Sequence, residues 1–485
     1  MKPMNLLFIM SDQHSKEKYG AYGNPYIHTP NLDSLCRNGV RFNNAYCNNP
    51  ICVPSRASMT TGDYGFKNSF WDNSHPYDGR VEGWGHRLSE QGYSVTTIGK
   101  LHYKDDSIQT GFADQRIPLH LKDGVGNLTV CIRDEDLKRP NQREVLLKAG
   151  VGDSDYLQYD AKVAKLAADF LKNEAAAKGD KPFCLYVGFV TPHFPLTVPE
   201  RIFNMYDQDN LPFPKQWRPE EMPMHPAIDR FRQIACTSEK SVTEAVVRKA
   251  VACYYSLVTY MDEQVGIILN ALKESGLEEN TRIIYSSDHG DTMGDHGVFF
   301  KNTMYEGSVG VPLVVAGSDI PKGRIVDQCV SLLDIFPTVL DCVGAESTMA
   351  DKELPGTSLW KFAQGELEIE RPVFAESHTF AYKHAVFMLR YKQYKLVYYI
   401  EFRPQLFDLE NDPDELVDLA EKEEYLSVLD DMKKRLFKIC DPAQIDKQAL
   451  KEQKMLLDRY GGKEAVMGSM KKYYFSYSPV PKGVL

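Results

Sequence analysis

Short apolar bursts alternate with stretches of helical period along most of the chain, the pattern of strands joined by crossover helices. The bursts are MNLLFIM (4–10), YSVTTIG (93–99), FCLYVGFV (183–190), RIIYSS (282–287) and VPLVVAG (311–317). Several show little polar alternation, so they are expected to be buried on both faces, as in a parallel sheet covered by helices on each side. Helical periodicity marks 155–176 and the long run 243–276, which stops on a glycine. Beyond residue 370 the texture changes: AVFMLRYKQYKLVYYI (385–400) alternates, the turn-like DLENDPDE follows, and an amphipathic, charged helix comes next. The pattern predicts an α/β protein: a large, mostly parallel sheet in 1–370, and a small antiparallel sheet with a packed helix in 371–485.

Composition narrows the classes. With 485 residues, 43% of them hydrophobic, the chain can bury a substantial core. The formal charge is −10, and no Lys/Arg block is long enough to track a phosphate backbone, which argues against nucleic acid. An anionic substrate would have to be held by a local cluster of cations against the net field. The ten cysteines are scattered, without a Cys-x-x-Cys pair, and read as small buried hydrophobes in a reducing compartment. The first residues run straight into a strand pattern without a signal segment, and no apolar run approaches the ~18 residues of a membrane span. The expectation is a cytoplasmic protein as given, or an exported one whose signal has been removed, with no membrane partner.

Ligands of open α/β sheets bind beyond the carboxyl ends of the strands, so the residues that follow each burst carry the chemical information. The first burst leads to Asp12-Gln13-His14, the second to Lys100 and His102, the third to His193, the fourth to Asp288-His289, and Lys301 follows a short loop later. Singly, such an aspartate is often a turn former and such a lysine is usually solvated. Their recurrence at several strand ends is what points to a site. Two aspartates supply hard oxygen ligands suited to Ca²⁺ or Mg²⁺, while His289 adds a nitrogen that Mn²⁺ accepts. Arg56, Lys100 and Lys301 would neutralise a tetrahedral oxyanion, and His102 and His193 could move protons. The set suits hydrolysis of a sulfate, phosphate or phosphonate ester and lacks only a nucleophile.

The segment NNPICVPSRASMTTG (48–62) supplies a candidate. Its CVPSR, with Cys52, Pro54, Ser55 and Arg56, resembles the Cys-x-Pro-Ser-Arg maturation motif of the type I sulfatases in the alkaline phosphatase superfamily. LFIMSDQ, GYSVTTIGKLHY, TPHFP, SSDHGDTMGDHG and LFDLENDPDE extend that resemblance along most of the chain. It implies an alkaline phosphatase-like α/β/α sandwich, and conversion of Cys52 to formylglycine (3-oxoalanine) by a maturation enzyme. The hydrate of that aldehyde attacks sulfur with one hydroxyl and later expels sulfate with the other. It also implies one divalent metal, Ca²⁺ first and Mg²⁺ or Mn²⁺ next, held by Asp12, residue 52, Asp288 and His289. Arg56 would orient the hydrate, Ser55 would belong mainly to the maturation motif, and Lys100 and Lys301 would bind the sulfate oxygens. His102 would take the proton of the spare hydroxyl and His193 would protonate the leaving alcohol. A helix starting near Ser55 would aim its positive end at the site.

Two positions depart from the commoner pattern. Gln13 and His289 stand where many sulfatases have aspartate and asparagine, a variant nearer the choline sulfatases and the phosphonate monoester hydrolases. Gln13 is left open between a metal ligand and a donor behind the ligands. The reactions in view are hydrolysis of a small-molecule or saccharide sulfate ester, hydrolysis of a phosphonate monoester or phosphodiester in the same site, and a silent binding relative. FWDNSHPYDG (70–79) reads as a surface loop or as a leaving-group pocket. The tail KKYYFSYSPV (471–480) reads as a cover for the site, a dock on its own domain, or a contact in a homo-oligomer.

Overall fold

The computed structural model describes residues 2–134, 136–175, 181–469 and 478–485. The main sheet has eight strands: β1 (Asn5–Asp12), β2 (Gly39–Phe42), β3 (Val95–Lys100), β4 (Asp114–Leu119), β5 (Cys184–Pro192), β6 (Thr281–Ser287), β7 (Leu313–Ala316) and β8 (Arg324–Val326). Their order is β8-β2-β7-β6-β1-β5-β3-β4, and every strand except β7 runs the same way. β7 is the burst at 311–317. It is reversed because the chain leading to it contains only the 3-10 turn Asp295–Gly297 and the short helix Glu306–Val309 and returns along the edge that β6 has just reached.

Both faces of the sheet are apolar, which explains the weak alternation in the sequence. Along β1, Leu6, Phe8 and Met10 enter one core while Leu7 and Ile9 enter another. On β5 the same division separates Cys184 and Tyr186 from Leu185, Val187 and Phe189. The second core is closed by α1 (Pro30–Arg37), α3 (Asp155–Asn173) and α4 (Glu244–Glu274), the first by α2 (Cys52–Thr61) and α5 (Ile335–Val343). The result is a three-layer α/β/α sandwich. α3 covers the predicted helix 155–176 as far as Asn173; residue 176, and 470–477 of the tail, lie outside the described residues.

A second sheet follows: β9 (Val373–Ser377), β10 (Val386–Tyr391), β11 (Tyr394–Tyr399) and β12 (Gln405–Asp408) form an antiparallel meander. Tyr391 pairs with Tyr394 across a tight turn in which Lys392 takes φ +53°. The charged helix α6 (Leu426–Ile439) packs on β10 and β11, and α7 (Pro442–Arg459) continues beyond it. The meander is tied to the sandwich by Asn48, whose amide donates to the Phe374 carbonyl at 2.7 Å, and by Lys395, 3.0 Å from Glu306.

Two glycines bring the strand ends near the site together. Gly99 on β3 faces Gly188 on β5, and a Cβ added at position 188 would lie 2.1 Å from the Lys100 carbonyl oxygen. Among the described residues, no helix is long and apolar enough to cross a membrane.

Candidate active site

The carboxyl ends of β1, β3, β5 and β6 converge on the start of α2. That helix begins at Cys52, three residues earlier than the sequence suggested, because Pro54 in its first turn lacks only an N–H that would have had no helical partner. The Val53 N–H is satisfied by Asn73 at 3.1 Å, and the helix ends at Gly62, φ +73°. Cys52 therefore sits at the positive end of a wholly buried helix.

Asp12, Cys52, Asp288 and His289 are buried together, with one ligand atom from each lying within 4.8 Å of the others. Asp12 Oδ1 is 3.6 Å from Cys52 Sγ and 3.6 Å from His289 Nε2, and Cys52 Sγ is 3.1 Å from that nitrogen. His289 Nδ1 is 2.9 Å from the Gly290 carbonyl, which fixes the proton there and turns the Nε2 lone pair toward the cluster. Two carboxylates, a neutral imidazole and residue 52, spaced too widely for hydrogen bonds between the acids and the imidazole, form a donor set that fits a divalent cation.

Cations enclose this set. Lys100 forms an ion pair with Asp12, and Lys301 donates to Gln13 Oε1 at 2.9 Å and to Cys52 Sγ at 3.0 Å. The Arg56 guanidinium is spent on the protein: Nε donates to Asp288 Oδ2 at 2.7 Å, Nη1 to the Lys100 carbonyl and the Tyr186 hydroxyl at 3.0 Å each, and Nη2 to the Ser11 carbonyl at 3.3 Å. Ser55 Oγ donates to the Asp288 carbonyl at 2.5 Å, so it holds a strand end as well as forming part of the motif.

Protonation follows from burial and these neighbours. Burial would raise the Asp12 carboxyl, but Lys100, His193, Lys301 and His289 hold it well below the usual carboxylate range. Burial, reinforced by Asp12, pushes the Cys52 thiol up to about 12 against the pull of Lys301. As an unmodified thiol, residue 52 is thus protonated and a poor nucleophile. Burial lowers His289 to about 4, and it lowers His102 and His193 well below their ordinary value, helped by Lys100 at the first and Lys301 at the second.

Several residues around the site hold backbone that side chains rarely adopt. Gln13, His102, Phe300 and Asn302 have φ of 70°, 63°, 68° and 75°, and the last two flank Lys301. Such conformations cost of order 1–3 kcal/mol each and concentrate where geometry is over-determined. Here the determinants are partly visible. Asp291 accepts from Gln13 Nε2 at 2.6 Å and from the Phe300 N–H at 2.9 Å, which ties the Lys301 loop to β1. The Gln13 amide is therefore shared between Asp291 and Lys301. Asp160 on α3 accepts from the backbone N–H of Val190 and Thr191 and from the Thr191 hydroxyl, which sets the turn that carries His193.

The site opens into a cavity of about 450 Å³ lined by Cys52, Lys100, His102, His193 and Lys301 on one side. Asn73, Asn127, Asn141 and Gln142 supply amides elsewhere in the wall, and Ser478, Pro479 and Val480 close another part. The stretch 70–79 is not a surface loop: Phe70, Trp71, Asp72 and Tyr77 are fully buried, and Asn73 reaches the cavity. Asp72 is held by the Ser74 N–H, His75 and Gln453, so these turn-forming residues serve a buried network. Asp160, Asp291, Tyr186 and Ser478 were not singled out from the sequence. Asp160 had a signal, a charge set within the apolar stripe of its helix; the others had none apart from membership of a motif or tail.

Two family models match the chain: "Sulfatase" over residues 4–345 and "N-sulphoglucosamine sulphohydrolase, C-terminal" over 294–441. The chain is 32% identical to an arylsulfatase of Clostridium perfringens over 90% of its length and 94% of the relative's. It is 30% identical to a choline-sulfatase of Rhizobium meliloti over 86% and 82%. In structure it resembles the phosphonate monoester hydrolase of Agrobacterium radiobacter, with a TM-score of 0.71 and 24% identity over 91% of this chain and 96% of that one. A protein solved with its substrate D-glucosamine-2-N,6-O-disulfate gives a TM-score of 0.70 and 21% identity over 91% and 99%. The sandwich is thus alkaline phosphatase-like. With its sheet, its CVPSR helix and a family match across most of its length, the chain belongs to the sulfatase family of sulfuric ester hydrolases.

Proposed function

We propose that the protein hydrolyses a sulfate monoester whose alcohol occupies the 450 Å³ cavity, using formylglycine at position 52 and one divalent metal, Ca²⁺ in the first instance. The observation that carries this reading is the buried group Asp12, Cys52, Asp288 and His289 with Lys100 and Lys301 against it. Those four residues would hold the metal, which supplies Lewis-acid polarisation, while the hydrated aldehyde at position 52 supplies the nucleophilic oxygen.

The remaining side chains divide the work. Lys100 and Lys301 bind the sulfate oxygens, and the start of α2 adds a positive end to the same place. Arg56 keeps the Asp288 carboxylate in position through its 2.7 Å contact. His102, neutral through burial, takes a proton from the hydroxyls of residue 52. His193, anchored through Nδ1 to the Phe194 carbonyl at 2.7 Å, presents Nε2 to the leaving alcohol and protonates it. The amides of Asn73, Asn127, Asn141 and Gln142 both donate and accept, which favours a hydroxylated alcohol such as a sugar over a quaternary ammonium.

Turnover measured side by side on a sulfated sugar, an aryl sulfate, choline sulfate and a phenyl phosphonate ester tests the reading. Sulfate esters should react at least tenfold faster in kcat/KM than the phosphonate ester. A preference for the phosphonate ester would transfer the site to the phosphonate monoester hydrolase reaction. Mass spectrometry of the peptide containing residue 52 should find an aldehyde in the active protein, and an active protein carrying only the thiol would overturn the nucleophile.

A further inference from the structure

The His193 ring is held by the adjacent Phe194 carbonyl, but the hydrogen bond to the His102 ring comes from the far end of the chain. Ser478 Oγ is 2.5 Å from His102 Nε2, across 376 residues of sequence. Both side chains are buried, Ser478 at 4% exposure and His102 at 4%. The other ring nitrogen of His102, Nδ1, is buried without a hydrogen-bond partner among the described residues. The imidazole of a general base is normally oriented by a partner on the nitrogen that does not do the chemistry, or by a relay on the one that does. Here one hydroxyl supplies the only hydrogen bond to the ring among the described residues, and it acts on a residue whose backbone sits at φ 63°.

The segment that carries Ser478 is seated rather than loose. Its carbonyl accepts from the Tyr156 hydroxyl at 3.0 Å, and the Val484 carbonyl accepts from Lys162 Nζ at 2.5 Å; both partners lie on α3. Val480 and Val484 pack against the apolar core on that side of the sheet. Asp160, which holds the His193 turn, belongs to the same helix, so α3 supports both histidines, one directly through the β5 turn and one through the C-terminal segment. Ser478, Pro479 and Val480 meanwhile form wall of the leaving-group cavity.

We propose that Ser478 is a positioning residue for His102, and that the segment Ser478–Val484 makes the end of the chain a working part of the active site. The proposal rests on the reading of His102 as the base. When Nδ1 carries the ring proton, Ser478 donates to Nε2; when Nε2 carries it, the ring donates to Ser478. In either tautomer the hydroxyl fixes the plane of the ring. Only the second tautomer leaves a ring nitrogen, Nδ1, free to accept a proton, so the base works with the ring donating Nε2–H to Ser478 Oγ. The same contact couples seating of the segment to competence of the base.

The test is a cycle of Ser478→Ala, Ser478→Thr, His102→Ala and the double variant, in the full-length matured enzyme, on one aryl sulfate. Loss of a single hydrogen bond to the ring should lower kcat about 3- to 10-fold with KM changed less than twofold, and Thr should restore most of it. In the His102→Ala background, Ser478→Ala should have no further effect. Wild-type kcat in Ser478→Ala, or an equal loss with and without His102, would overturn the positioning role. Full turnover by His102→Ala alone would instead overturn the assignment of the base, so the two failures are separable.

Discussion

Replacing Arg56 by Met should expose how the site is held together. The substitution keeps a long apolar stem but removes every donor of a guanidinium that is fully buried. The losses are unequal. The Lys100 carbonyl keeps the Tyr186 hydroxyl at 3.3 Å, and the Ser11 carbonyl keeps the Asp288 N–H at 3.4 Å. Asp288 Oδ1 keeps the N–H groups of Gln13 and His289, at 3.1 and 3.0 Å, but Oδ2 loses its charged partner at 2.7 Å. Removing one member of a buried pair costs about 3–5 kcal/mol, because the other charge stays behind. For 485 residues the entropy of unfolding is about 1 kcal/mol per kelvin, so the midpoint should fall by about 3–5 °C. The assay is a thermal melt of metal-free protein followed by fluorescence, repeated on Arg56→Lys. Lysine restores the charge but not the fork that reaches Asp288 and three further oxygens, so it should recover less than half of the loss. A midpoint within 1 °C of wild type in Arg56→Met would refute the claim that this arginine neutralises Asp288, and equal stability of the lysine variant would refute the claim about its geometry.

Further outcomes follow from the same contacts. Cys52→Ala should abolish turnover while shifting the melting midpoint by no more than about 3 °C, since it removes a small buried group; retention of near-wild-type rate would remove residue 52 from the chemistry. Addition of Ca²⁺ to metal-free protein should raise the midpoint, by an amount worth about 4 kcal/mol at a thousandfold excess over Kd, and Asp12→Asn or Asp288→Asn should abolish the rise. Burial pushes Asp160 up to about 6 against its hydrogen bonds from Thr191 and Val190. Its folded pKa lies above the unfolded value, so the stability it contributes is present below pH 4 and is lost as pH rises toward 6. Asp160→Asn should therefore flatten that part of the stability–pH curve, and kcat should fall as the His193 turn loosens; an unchanged slope in urea titrations between pH 4 and 6 would count against the assignment.

The sandwich was legible because burial on both faces leaves a direct trace in sequence: bursts such as FCLYVGFV with hardly any alternation. The direction of β7 left no such trace, since a buried strand reads alike whichever way it runs, and only the connection from β6 decides. Asp12, Lys100, His102, His193, Asp288 and His289 could be read because each ends a strand or stands within two residues of its end, and the fold brings strand ends to one edge. Gln13 was ambiguous because an amide can serve a metal or a lysine equally well, and its contacts to Asp291 and Lys301 are fixed by tertiary structure rather than by spacing. The loop 70–79 stayed open between surface loop and pocket because turn residues such as Asp72, Ser74 and His75 bond one another inside the protein as readily as they do at a surface. Ser478 could not be found by spacing at all, because a contact across 376 residues carries no local pattern.

The proton inventory of the site depends on the charge of what enters it. His102 and His193 are kept neutral first by burial and then by Lys100 and Lys301, the same cations that would receive the sulfate oxygens. Neutrality suits a base at once, but an acid must first acquire a proton. An anion placed between the two lysines cancels their field at His193, whose Nε2 then gains proton affinity while its Nδ1 stays on the Phe194 carbonyl. His102, held down by the same two lysines, is relieved as well, which suits a base that must keep the proton it takes. A neutral ester of the same shape would leave both imidazoles as they are, and the leaving alcohol would depart unprotonated. Selection for a charged ester therefore need not come from Arg139 and Lys148, the cations elsewhere in the cavity wall. It is built into the pairing of each histidine with a lysine, and it predicts that neutral sulfonate esters of the same alcohol bind in the cavity without turnover.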